Sequence, residues 1–106
     1  MWFGNLVTME WWTHIWLNEG FARFAEFLAL DSIHPEYHIW DQFLSDVLQD
    51  GISQDQSSRS HPIEIEAKSP DDIDKIFDSI SYAKGCSLIR MIEGYIGKDS
   101  FKECIK

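Results

Sequence analysis

Basic residues are scarce in this chain. Nine lysines and arginines face eighteen aspartates and glutamates, a formal charge of −9 at pH 7. Neutralising phosphates takes clustered Lys and Arg, so this balance argues against nucleic acid as a partner. Cysteine is equally sparse. Cys86 and Cys104 are too few for a disulfide framework, which favours a reducing compartment. Neither asparagine, Asn5 or Asn18, stands in an N-x-[ST] sequon. No apolar run reaches the length of a membrane span, and no basic stretch leads into an apolar core at the N-terminus. The expectation is a soluble, cytoplasmic protein with no membrane partner.

What is present points to a folded chain. A hydrophobic content of 44% with 14% aromatics argues against disorder, and 106 residues make one domain at most. The aromatics are unevenly spread: Trp2, Trp11, Trp12 and Trp16 all fall near the start. Such a concentration forms either the domain's own core or a face that meets a neighbour.

The periodicity predicts an all-α piece. From Leu17 to Leu30 the positions Leu17, Phe21, Phe24 and Leu28 form one ridge, which Ala22, Ala25, Phe27 and Ala29 widen beyond a single stripe. Asp31 and Ser32 are expected to end that helix. With Pro35 at its first position, a second helix is expected over about 36–49, with Gly51 as its C-terminal cap. SQDQSSRS reads as a surface loop, and HPIEI is at most a short extended segment. Ser69, Pro70 and Asp72 make a strong start for a helix over about 70–77. Further helices are expected over about 79–96, closed by Gly97, and 100–105.

Several residues invite a chemical reading. In a helix that is apolar nearly all round, Glu19 and Glu26 lie about 20° apart, with Arg23 about 40° from Glu19. One explanation is an exposed stripe with a Glu19–Arg23 pair. The other is a carboxylate offered to a cation and backed by a second acid. Gly20 favours the second, because a helical glycine costs about 1 kcal/mol against alanine and a close approach would explain it. His34 and His38 have the i, i+4 spacing of a zinc helix, but Pro35 puts His34 out of helical geometry. Tyr82 reads either as half-buried core or as a hydroxyl donor to an oxyanion. Cys86 has no histidine near it in sequence to activate it.

Two stretches go further. WFGNLVTMEWWTHIWLNEGFA resembles the segment that follows the zinc-binding H-E-x-x-H of the gluzincin aminopeptidases, where a glutamate in an N-E-G context, eighteen residues on, is the third zinc ligand. IFDSISYAKGCSLIRMIEGYIG resembles the family's stretch bearing the tyrosine that stabilises the tetrahedral intermediate. PEYHIWDQF and SHPIEIE resemble the cytosolic puromycin-sensitive type more than the membrane-bound type. The resemblance spans essentially the whole chain. It implies the helical part of a thermolysin-like catalytic domain, one Zn²⁺, a peptide substrate, Glu19 as zinc ligand and Tyr82 as transition-state stabiliser. Glu26, by periodicity, would orient a zinc-bound histidine.

The pattern also departs from that family. The H-E-x-x-H, which would stand immediately before Trp2, and the upstream G-x-M-E-N motif are absent from this sequence. The expectation is therefore a catalytic-domain fragment, incomplete at its N-terminal side, that is inactive and holds no zinc alone. Its partner would be the rest of that domain. A helical, non-catalytic binding module is the alternative.

Overall fold

A computed structural model describes residues 3–105. Five principal helices and two single 3-10 turns account for most of them. No strand forms among the described residues; HPIEI is irregular, and the sole pairing is an isolated bridge between Phe3 and Val7.

Helix α1 runs over Ile15–Ile33, past Asp31 and Ser32, and stops only where Pro35 disfavours helical geometry at His34 (φ −132°, ψ 67°). It is less enclosed than its composition suggests. Phe24 and Phe27 are buried, whereas Leu17, Ala22 and Ala29 remain exposed. Pro35 does not open the second helix. It opens a 3-10 turn, Pro35–Tyr37, closed by bonds from Tyr37 N to His34 O (3.0 Å) and His38 N to Pro35 O (3.2 Å). His38 then turns left-handed (φ 48°).

Helix α2 covers 39–55: an α-turn at Ile39–Gln42, a π-turn at Phe43–Val47 and α-helix at Leu48–Asp55. Phe43 and Val47 enter the core, while Leu44 stays exposed. Gly51 is not a cap. It is buried inside α2, where an added Cβ would come within 3.1 Å of the Lys84 backbone nitrogen. Helix α3, Pro70–Ile76, starts with the expected capping box between Ser69 and Asp72.

Helix α4 covers 79–96, a π-turn at Ile80–Lys84 followed by α-helix at Gly85–Ile96. Asp78 caps it, its Oδ1 accepting from the backbone nitrogens of Ile80 (2.9 Å) and Ser81 (3.2 Å). The other carboxylate oxygen contacts His61 Nε2 at 2.9 Å, tying the preceding loop to the cap. Gly97 (φ +88°) lets the chain reverse into helix α5, Lys98–Cys104.

The core lies where α1, α2 and α4 meet. Phe24, Phe27, Phe43, Val47, Ala83, Cys86, Ile89 and Phe101 form one buried cluster, with Trp40 packed against it. Phe27 meets Phe43 edge-on with ring centroids 5.3 Å apart, a favoured aromatic geometry. The Arg90 guanidinium lies 4.2 Å from the Trp40 ring and pairs with Glu93, which compensates the charge of an otherwise buried carboxylate. The early tryptophans divide: Trp16 is partly buried, Trp11 and Trp12 are exposed, and Trp2 lies outside the described residues.

Candidate active site

The crossing of α1 and α4 brings together the two residues singled out from separate motifs. Glu19, on α1, is half-buried, and its Oε1 accepts a hydrogen bond from Asn18 Nδ2 at 3.0 Å. Tyr82 sits in the middle of the π-turn that opens α4. Such turns widen a helix by one residue and recur at functional sites. Its phenol faces the Glu19 carboxylate. Desolvation, then the hydrogen bond and the charge of Glu19, push its pKa up to about 12. Tyr82 is thus a neutral hydroxyl donor throughout the physiological range.

Glu26 lies further along α1 and is exposed, its Oε2 taking Arg23 Nη1 at 2.7 Å. Arg23 therefore pairs with Glu26 rather than Glu19, and its guanidinium lies 5.1 Å from the Phe27 ring. Exposed pairs of this kind contribute little to stability.

The other candidates do not join this site. His34 pairs with Glu36 (3.0 Å) and stacks on Tyr37, while His38 is exposed in its left-handed turn. Cys86 is fully buried, and burial pushes its thiol up to about 12, which removes the thiolate a nucleophile needs. Asp78 and His61 organise the approach to Tyr82 and escaped the sequence reading. An acid just before a helix start was the available signal for Asp78; nothing local pointed to His61.

A catalytic zinc takes three protein ligands and keeps one position open. Among the described residues no group of three His, Cys, Asp or Glu side chains is placed to hold a metal ion. Glu19 fits as one ligand of such a set: a half-buried carboxylate, oriented by Asn18. The described residues do not by themselves form the full set.

Known proteins resemble this chain along its whole length. It is 55% identical over 104 residues to aminopeptidase M1 of Arabidopsis thaliana, which covers 98% of this chain and 12% of that protein. Aminopeptidase M1-D of Oryza sativa subsp. japonica gives the same identity and coverage. Aminopeptidase 2, mitochondrial, of Saccharomyces cerevisiae is 49% identical over 100 residues, 94% of this chain and 10% of that protein. The chain thus spans about an eighth or less of the length of these curated relatives. The Peptidase family M1 domain matches residues 1–106, and the chain belongs to that family.

Proposed function

We propose that this chain contributes one wall of the active site of a zinc aminopeptidase that releases N-terminal residues from peptides. Glu19 acts as a zinc ligand and Tyr82 as the donor that stabilises the transition state. The observation carrying this reading is the juxtaposition of Glu19 and Tyr82, which come from separate motifs and meet where α1 crosses α4. The names of the relatives agree with the activity.

Bound zinc would polarise the scissile carbonyl and lower the pKa of a water molecule at the site. The chain's own residues supply the rest of what it can offer. Asn18 fixes the orientation of the Glu19 carboxylate. Tyr82, protonated up to about 12, keeps its proton available for a hydrogen bond to the oxygen on which charge develops. Glu26, on the same side of α1, would orient a ligating histidine, with Arg23 balancing the acids. The residues that would take the proton from water and complete the zinc ligation belong to an H-E-x-x-H that this sequence does not contain. Two free cysteines support a cytoplasmic setting.

The test is a graft of residues 1–106 in place of the matching segment of the Arabidopsis aminopeptidase. The chimera is expected to hold one zinc and hydrolyse aminoacyl-nitroanilides. Glu19→Ala should strip the metal. Tyr82→Phe should keep it and lower kcat by roughly 10²–10³, the loss expected for one oxyanion donor. Full turnover in the Phe variant removes Tyr82 from the mechanism, and retained zinc in the Ala variant removes Glu19.

A second reading, a non-catalytic binding module, draws on one observation. An apolar groove of about 830 Å³, lined by Phe3, Leu6, Val7, Leu28, Ala29 and Ile105, adjoins a segment with Leu6 and Val7 exposed. A purified chain that stays monomeric and folds cooperatively without partners would count against it.

A further inference from the structure

The meeting of Glu19 and Tyr82 depends on how closely two helices approach. At the crossing of α1 and α4 the contact is backbone on backbone. A Cβ added to Gly20 would stand 2.8 Å from the carbonyl carbon of Gly85 and 3.1 Å from the nitrogen of Cys86. A Cβ on Gly85 would meet Trp16 O at 3.2 Å and the Gly20 Cα at 3.5 Å. Neither obstacle is a flexible side-chain tip that can swing aside. Both glycines are buried.

The two functional candidates flank this contact. Glu19 is the residue before Gly20. Tyr82 precedes Gly85 by three positions, in the π-turn that leads directly into it. The crossing point and the carboxylate–phenol contact are therefore one local structure. On its other side the π-turn is pressed by α2, where a Cβ on Gly51 would meet Lys84 N at 3.1 Å and Ala83 C at 3.3 Å. Lys84 Nζ reaches Asp55 Oδ1 at 2.8 Å along the same border. The segment carrying Tyr82 is held between two glycine contacts.

We propose that Gly20 and Gly85 are positioning residues: by letting α1 and α4 touch through their backbones, they set the separation of the Glu19 carboxylate from the Tyr82 hydroxyl. Their catalytic relevance rests on the aminopeptidase reading above; the geometric claim does not. A methyl group at either position forces the helices apart or tilts them. Glu19 and Tyr82 then separate even though neither has been changed.

The experiment uses the 106-residue chain with Tyr37→Phe and Tyr95→Phe, two exposed rings, so that Tyr82 is its sole tyrosine. With ¹³C-labelled tyrosine, the nuclear Overhauser contact between the Tyr82 ring and the Glu19 methylenes is read at neutral pH. Circular dichroism at neutral pH is recorded alongside, to establish that each variant is helical. Gly20→Ala, whose added Cβ would stand 2.8 Å from the Gly85 carbonyl carbon, is expected to abolish the contact while the helices persist. Gly85→Ala, with a softer 3.2 Å contact, should give a smaller loss, and it decides the matter should Gly20→Ala fail to fold. Gly94→Ala, where an added Cβ meets nothing within 4 Å, should match the parent. An unchanged contact in a folded Gly20→Ala or Gly85→Ala chain, or an equal loss in Gly94→Ala, overturns the proposal. Neither zinc nor turnover enters these readouts, so an inactive graft would sink the enzymatic reading and leave this one standing.

Discussion

The phenol of Tyr82 lies against the carboxylate of Glu19, and the acid holds the proton on the phenol. Desolvation is the larger cause and the neighbouring charge the smaller. Replacing Glu19 with Gln should therefore lower the Tyr82 midpoint from about 12 without returning it to 10. The sign for stability follows. A folded-state pKa above the unfolded one stabilises the fold below pH 10, and that contribution is lost as the pH rises from 10 through 12. Tyr82→Phe should flatten alkaline unfolding across this window, measured by urea midpoints at successive pH values. A Phe variant as alkali-sensitive as the parent would show that the fold does not raise the Tyr82 pKa in solution.

The two thiols should behave as different chemical species. Cys104 is exposed, whereas Cys86 is fully buried with its pKa raised to about 12. Only thiolate reacts readily with disulfide reagents, so native chain at neutral pH should release one equivalent quickly and the second only on unfolding. Cys104→Ser should abolish the fast phase. Rapid modification of both thiols in native buffer would mean that the core around Ala83, Cys86 and Ile89 is open.

Gly51→Ala separates packing from helix propensity. Inside a helix, alanine is favoured over glycine by about 1 kcal/mol. At this position the methyl would press on the Lys84 nitrogen at 3.1 Å and the Ala83 carbonyl carbon at 3.3 Å. Overpacking costs about 1–3 kcal/mol, so the expected net change is a loss of stability, read as a lower urea midpoint with an unchanged slope. A gain would show that α2 and the π-turn yield easily, and that the contact imposes little.

Most helices were legible because their signals are local. The ridge of Leu17, Phe21, Phe24 and Leu28 and the capping residues Ser69 and Asp72 act through neighbours about one turn away. The misplacements arise where distant parts of the chain decide the outcome. Gly51 looks like a cap in sequence because its reason, the α4 backbone pressed against it, lies far along the chain. Pro35 carries the signature of a helix start, yet His38 turns left-handed and the helix waits for Ile39. At the candidate site, Glu19 and Tyr82 were named from the resemblance, since helical periodicity gave each an ordinary reading. Their contact, the π-turn beneath Tyr82 and the His61–Asp78 link are tertiary facts with no local pattern.

The last expectation concerns the chain by itself. Selective zinc binding at a catalytic site takes three protein donors. Glu19 offers one carboxylate, already engaged by Asn18, and no three-donor group occurs among the described residues. A single carboxylate in contact with water competes poorly for a hydrated divalent ion. Calorimetric titration of the purified 106-residue chain with zinc should therefore show no stoichiometric binding, and aminoacyl-nitroanilides should go uncleaved. Micromolar affinity that disappears in Glu19→Ala, accompanied by hydrolysis, would mean that donors outside the described geometry gather around Glu19. The graft experiment would then have to begin from a chain already competent alone. Weak binding that survives Glu19→Ala would instead place the ion on the acidic surface, leaving the assignment of Glu19 to the graft.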